Sequence, residues 1–165
     1  PNIVAVKDAK GDLAQVSRLM LETGLMYFSG DDSYALPQLS VGATGLIGVT
    51  ANIAPHAYRE MLDATNANDF HAALKVHNAL EPLQRAVMNH VPGTVAAKYV
   101  LHGLGLIGSP RVRLPLVGPE DSEAAEIESG IDQVQSVPGL SFDNFRPDRN
   151  AAAGGALPKV AGTTR

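Results

Sequence analysis

Several residue types and patterns that would indicate a particular class of protein are missing from this sequence. Its 165 residues include no cysteine, which excludes disulfides, thiolate metal sites and a cysteine nucleophile. Its apolar stretches are far shorter than the ~20 residues of a membrane helix, and no charged-then-apolar secretory signal opens the sequence. We therefore expect a cytoplasmic protein with no membrane partner.

The sequence also has no strong excess of charge of either sign. The 17 acidic and 13 basic residues give a formal net charge of -4 and are spread along the chain without a basic run. Such a distribution offers no electrostatic footprint for nucleic acid, which we exclude as a partner. With 45% hydrophobic residues, the composition is that of an ordinary folded domain.

The first 50 residues alternate between strand and helix patterns. A β-branched apolar run ends at Lys7, and two further short apolar runs cover 25–29 and 44–49. Between them lie a helical pattern over 13–22 and a shorter one that ends near Leu39. Strands and helices in this order, with short connections, indicate right-handed βαβ units and a parallel α/β sheet.

Three parallel strands make a poor domain alone, because the first strand would leave an apolar edge unpaired. A (β/α)8 barrel has eight strands and no edge. The sequence also starts at Pro1 rather than Met. We therefore expect a fragment, the C-terminal part of a TIM barrel whose other strands precede this chain.

From Asn52 onward the periodicity is helical only. It predicts helices at about 55–65, 69–90, 94–106 and 119–133. The remaining residues have little periodicity and predict an irregular or disordered tail. The predicted domains are the last strand–helix units of the barrel (1–66), a C-terminal helical domain (67–134) and the tail (135–165).

Lys7 ends an otherwise apolar strand face, which it shares with Ile3 and Ala5. The carboxyl end of a buried strand is where α/β barrels build their active sites. Desolvation there favours the neutral amine, a nucleophile toward carbonyl groups and a Schiff-base former. The alternative is a lysine that only extends to the surface from the strand end.

Glycines follow the second and third predicted strands. Gly30 permits close backbone approach to a ligand, whereas Asp31 and Asp32 are typical helix caps. The glycine-rich segment 42–48 lacks the endings of a phosphate loop or a dinucleotide fingerprint. It instead predicts tight packing that leaves backbone carbonyls near Ile47 free for a small ligand. The five histidines are scattered without a metal-binding pair.

Three segments together resemble the dihydrodipicolinate synthase family in order and spacing. They read VAVKDAKGD (4–12), SGDD (29–32) and GATGLIGVTAN (42–52). Further similarity at 93–98 and 113–115 extends the resemblance over about 1–134. The resemblance implies a class I Schiff-base lyase that needs no cofactor, built on a (β/α)8 barrel and assembled as a cytoplasmic homotetramer.

The resemblance also implies a role for each candidate site residue. Lys7 would form an imine with pyruvate, and the backbone of Ile47 would contact the bound pyruvate. Gly30 would border the site for L-aspartate 4-semialdehyde. Attack of the enamine on this aldehyde would give 4-hydroxy-tetrahydrodipicolinate, in lysine and diaminopimelate biosynthesis.

Departures from the family pattern leave alternatives open. Asp8 and Lys10 replace the commoner Glu and Thr, and Gly48 stands where serine is usual. A sister pyruvate aldolase, of the N-acetylneuraminate lyase or 2-keto-3-deoxy sugar-acid type, therefore remains an alternative, as does a non-catalytic relic that pairs through its strand edge. The family's Thr-Thr carboxylate clamp, proton-relay tyrosines and substrate arginine would lie upstream, so the chain alone is expected to be catalytically incomplete.

Overall fold

The computed structural model describes residues 2–134 and 137–152. Its sheet has three parallel strands in the order β1-β2-β3. The strands are β1 (Ala5–Asp8), β2 (Met26–Ser29) and β3 (Gly45–Leu46), and they are joined by helices α1 (Leu13–Thr23) and α2 (Ala35–Ser40). This arrangement confirms the predicted parallel α/β sheet.

Helix α1 shows how the local sequence fixes these bounds. The Asp12 carboxylate accepts a hydrogen bond from the Gln15 amide at 2.9 Å and so caps the first turn. At the other end, Gly24 adopts a left-handed conformation with φ 65°, and its N–H donates to the Met20 carbonyl. A glycine is suited to this position because it has no Cβ to clash there.

The third strand is much shorter than predicted. The backbone hydrogen bonds to β2 continue only as far as Ile47, whose N–H donates to the Ser29 carbonyl at 2.8 Å. Beyond Gly48, the amides of Val49 and Thr50 donate to the Asp32 carboxylate instead of to a strand. The chain then forms a one-turn 3-10 helix, Thr50–Asn52.

Four longer helices follow the sheet: α3 (Pro55–Asn66), α4 (Phe70–Met88), α5 (Gly93–Gly103) and α6 (Asp121–Asp132). Pro82 lies within α4, and the helix continues through it. One cluster of buried apolar side chains spans the predicted boundary at residue 66, so the chain has a continuous core across it. No helix in the described ranges is long and apolar enough to cross a membrane.

The described part of the predicted tail is packed against these helices. Val137 is buried, the Arg146 amide donates to the Gly103 carbonyl at 2.8 Å, and Phe145 packs directly on Gly103. The segment ends in a short helix, α7 (Arg149–Ala152). For residues 137–152 the structure therefore shows ordered, mostly irregular chain; 135–136 and 153–165 lie outside the described residues.

Candidate active site

The three strand ends meet at one edge of the sheet. Lys7 is in register with Phe28, and Phe28 with Gly45. Partners in a parallel sheet share a face, so Lys7 and Phe28 point to the same side. Gly30 and Ile47 follow directly where β2 and β3 end. The sheet thus brings all three sequence-predicted site residues to its carboxyl edge, where α/β proteins place their ligands.

Gly30 lies directly against the Lys7 side chain. Its N–H donates to the Asp8 carbonyl at 2.6 Å. A Cβ at position 30 would lie 2.8 Å from Cε of Lys7 and 2.9 Å from Cβ of Ala9, which is closer than real Cβ contacts allow. The Asp8 carbonyl oxygen would also lie 2.9 Å away, and because backbone cannot move aside as a lysine side chain can, this strand end requires glycine and brings it against Lys7.

Lys7 is exposed to solvent rather than held in the partly dry pocket that the sequence suggested. The reason is that β1 has a strand neighbour on one side only. Within the described ranges the Lys7 amine has no hydrogen-bond or ion-pair partner. The adjacent carboxylate of Asp8 is engaged elsewhere, since it accepts a hydrogen bond from the Gln38 side chain at 3.1 Å. The amine is accordingly uncommitted and accessible.

The two faces of the sheet differ in burial. Tyr27 and Ser29, on one face, are buried. The opposite face carries Lys7 and Met26, and Met26 is 46% exposed. An apolar run such as that of β1 is typical of a strand covered on both faces, but in the described chain only one face of the sheet is covered. We call the uncovered side the open face.

Ile47 continues the open face beyond β3. Its side chain is 53% exposed, and its N–H is taken up by the Ser29 carbonyl. Its own carbonyl accepts no hydrogen bond from any described residue. A small ligand at the sheet edge could therefore be met by this carbonyl, as the sequence predicted for the backbone near Ile47.

Asp32 has a role that the sequence reasoning missed. It is only 1% exposed, and its side chain reaches the loop after β3 instead of capping α2. One carboxylate oxygen accepts the Val49 amide at 2.8 Å, and the other accepts the Thr50 amide at 3.0 Å and the Thr50 hydroxyl at 2.5 Å. Asp31 makes a local turn, accepting both the amide and the hydroxyl of Ser33.

The hydrogen bonding continues from Thr50 into the helices. The Tyr58 hydroxyl lies 2.5 Å from the Thr50 hydroxyl, and the Gln84 side-chain amide donates to Tyr58 at 2.9 Å. Burial, together with the nearby charge of Asp32, raises the pKa of Tyr58 well above its ordinary value. The phenol therefore keeps its proton, and the donors run in one direction: Gln84 to Tyr58, Tyr58 to Thr50, and Thr50 to the Asp32 carboxylate.

Comparison with known proteins places this site in a family. The sequence pattern of the dihydrodipicolinate synthetase family matches residues 1–134. The chain belongs to that family. The match confirms the resemblance seen in the sequence, and it includes Lys7, Gly30, Asp32 and Ile47. The packed segment 137–152 lies beyond it.

Named members of the dihydrodipicolinate synthetase family are closely similar in sequence. The chain is 45% identical over 133 residues to the 4-hydroxy-tetrahydrodipicolinate synthase of Ruegeria pomeroyi, covering 79% of this chain and 45% of that protein. It is 41% identical over 134 residues to the Corynebacterium diphtheriae synthase, covering 81% and 44%. The chain thus spans less than half the length of these relatives.

Solved structures of the family agree with the fold. A pyruvate complex of the chloride-inhibited Acinetobacter baumannii synthase matches with a TM-score of 0.69 and 34% identity, covering 80% of this chain and 45% of that one. The Aquifex aeolicus enzyme matches with a TM-score of 0.74 and 26% identity, covering 79% and 45%. These relatives are TIM-barrel enzymes, and the three strands described here correspond to part of such a barrel.

Proposed function

We propose that this chain supplies the Schiff-base lysine and the pyruvate-contacting loop of a 4-hydroxy-tetrahydrodipicolinate synthase. The observation that carries the proposal is the uncommitted amine of Lys7 at the carboxyl edge of the sheet, packed against Gly30. Family membership over residues 1–134 supports the same reading.

The proposed reaction begins with attack of the neutral Lys7 amine on the keto carbon of pyruvate. Loss of water gives an imine, whose cationic nitrogen makes the neighbouring methyl group acidic. Removal of a methyl proton gives an enamine, and its carbon attacks the aldehyde carbon of L-aspartate 4-semialdehyde. The substrate amine then closes the ring onto the imine carbon and releases Lys7, giving 4-hydroxy-tetrahydrodipicolinate for lysine biosynthesis.

Within this proposal the carbonyl of Ile47 contacts the bound pyruvate, and Gly30 borders the aldehyde site. The open face needs further strands to exclude water, because a neutral lysine amine is favoured only where the charged form is desolvated. We therefore place the complete site in a barrel that also contains upstream strands. The cytoplasmic homotetramer that the family resemblance implies is part of the same proposal, and light scattering on the completed protein tests its assembly.

The test joins this chain to the part of the Ruegeria pomeroyi synthase that precedes its matched region. The fused protein is incubated with pyruvate and borohydride, and the adduct is located by peptide mass spectrometry. We expect one reduced pyruvate on Lys7, its loss in Lys7→Arg, and its retention in Lys10→Arg, a matched change at an exposed lysine three residues away.

The outcomes separate the competing functions. No adduct in the parent fusion would overturn the proposal and favour a non-catalytic chain. Persistent adduct in Lys7→Arg would overturn it too, because the imine would then form on another amine. Turnover with a sialic or keto-deoxy sugar acid in place of L-aspartate 4-semialdehyde would identify a sister aldolase, which the glycine at position 48 leaves as the second candidate.

A further inference from the structure

The buried polar chain behind the site is built around one carboxylate. We call Asp32, Thr50, Tyr58 and Gln84 the Asp32 clamp. The two Asp32 oxygens accept three donors, all from Val49 and Thr50. The Asp32 carbonyl also accepts the Gln84 side chain at 3.2 Å. Asp32 itself follows β2, so the clamp joins the ends of two neighbouring strands.

The clamp holds the loop that directly follows Ile47. A Cβ at Gly48 would lie 2.3 Å from Oδ1 of Asp32, so the carboxylate and the loop backbone are in close contact. Val49 is fixed from a second side, because the Asn52 side chain donates to its carbonyl at 3.0 Å. The peptide that carries the Ile47 carbonyl is therefore anchored at its next two amides.

Helices α3 and α4 extend this anchoring into the helical part. Tyr58 lies on α3 and Gln84 on α4, and both are buried. A buried hydrogen-bonded chain has a defined geometry, since each unpaired member would carry a desolvation cost. The clamp thus ties the loop beside the candidate site to the buried core formed by α3 and α4.

From these contacts we infer that Asp32 is a positioning residue, which holds the Ile47 carbonyl in place toward bound pyruvate. This inference rests on the proposed function. Asp32 does not touch the substrate; it acts through the loop at 48–50. In Asp32→Asn one carboxylate oxygen is replaced by an NH2 group, which donates. At least one of the three loop donors would then face another N–H instead of an acceptor.

The test measures Asp32→Asn in the fused protein. We expect the KM for pyruvate to rise roughly tenfold, as loss of one buried hydrogen bond implies. The KM for L-aspartate 4-semialdehyde should stay unchanged. Thr50→Val should act in the same direction, and Thr50→Ser, which restores the hydroxyl, should recover most of the loss.

Asp69→Asn is the matched control. Asp69 caps α4 by accepting the Ala72 amide at 2.9 Å, so this change also removes a carboxylate from a backbone N–H. It should change the stability little, because asparagine caps a helix about as well as aspartate, and it should leave both KM values as they are. A rise in the pyruvate KM that is confined to Asp32→Asn distinguishes positioning from a general loss of folded protein, which lowers the apparent kcat alone.

Each outcome decides the inference. An unchanged pyruvate KM in folded Asp32→Asn, with adduct formed by the parent, would overturn the positioning role and leave the proposed function intact. No adduct in the parent would overturn both. If Asp32→Asn does not fold, the Thr50→Val and Thr50→Ser pair decides: equal KM values for pyruvate in these two variants would contradict the clamp.

Discussion

The sheet and the helical part of this chain differ in how completely they bury their apolar side chains. In the helices, apolar side chains such as Met61 and Leu80 are completely buried. On the open face of the sheet, Met26 and Ile47 keep about half of their surface exposed, 46% and 53%. Because burial of apolar surface is the main stabilising term in folding, the helical part contributes more to the stability of the described chain than the open face does.

The polar groups show the same contrast and relate it to function. In the Asp32 clamp each buried side chain has a partner, as buried polar groups generally require. On the open face the Lys7 amine is without one among the described residues. The chain is thus rigid behind the candidate site and open in front of it, where the substrates and the upstream strands are proposed to lie.

A pair of methionines offers the strongest test of this contrast. Met61→Ala should destabilise the chain by about 2–5 kcal/mol, because it leaves a cavity in a close-packed core. Met26→Ala should cost less than about 1 kcal/mol, since much of that side chain is already in water. Urea denaturation followed by circular dichroism gives both free energies of unfolding.

The same pair sharpens the comparison in the fused protein. If upstream strands cover the open face, the cost of Met26→Ala should rise toward that of Met61→Ala, which should change little. Equal costs for the two variants in the chain alone would show that the open face is covered there, contrary to the structure.

Helix contact gives a second, smaller test. A Cβ at Gly130 on α6 would lie 2.5 Å from Cβ of Ala86 on α4. Overpacking costs about 1–3 kcal/mol, and an overlap this close belongs at the upper end of that range, while alanine regains about 1 kcal/mol of helix propensity. Gly130→Ala should therefore destabilise the chain by about 2 kcal/mol.

Gly108→Ala serves as the control, since no described atom lies within 4 Å of a Cβ at that position. Its unfolding midpoint should match that of the parent chain. A Gly130→Ala variant as stable as Gly108→Ala would mean that α4 and α6 can move apart without a loss of stability. The helical part would then be less tightly packed than its contrast with the open face implies.

The sequence predicted the elements whose signals are local. Helix α1 begins after Asp12 and ends before Gly24 because the capping carboxylate and the left-handed glycine are adjacent to the residues they serve. Strand β3 was predicted too long for the opposite reason. The predicted strand ended at Val49, which is apolar and β-branched, but the amides of Val49 and of the following Thr50 donate to Asp32, which lies 17 and 18 positions away along the chain.

The candidate site divides in the same way. Lys7, Gly30 and Ile47 stand out in the sequence because each follows or ends an apolar strand. The Asp32 clamp was missed because its members are joined only by the fold; Gln84 is 52 positions from Asp32. From the sequence alone, an aspartate after Ser-Gly-Asp looks like a helix cap. Only the burial of its side chain distinguishes a cap from a residue that holds a distant loop.

Residues 137–152 give the smallest of the predicted effects. Their anchor is Arg149, whose guanidinium donates to both oxygens of Glu128 on α6, at 2.9 Å and 2.5 Å. The Tyr99 hydroxyl donates to the same carboxylate. The hydrogen bonds from Arg149, more than those from Tyr99, lower the pKa of Glu128 below its ordinary value of 4.5.

A carboxyl whose pKa is lower in the folded chain stabilises the fold above its unfolded pKa, and that contribution is lost as the pH falls through the folded value. Glu128→Gln should therefore lower the urea midpoint near neutral pH and lose less on acidification below 4.5 than the parent does. Glu126→Gln, at an exposed position on the same helix, should follow the parent. If Glu128→Gln keeps the parent's full acid sensitivity, the ion pair does not hold this segment, and apolar contacts such as Phe145 on Gly103 alone must join it to the helical core.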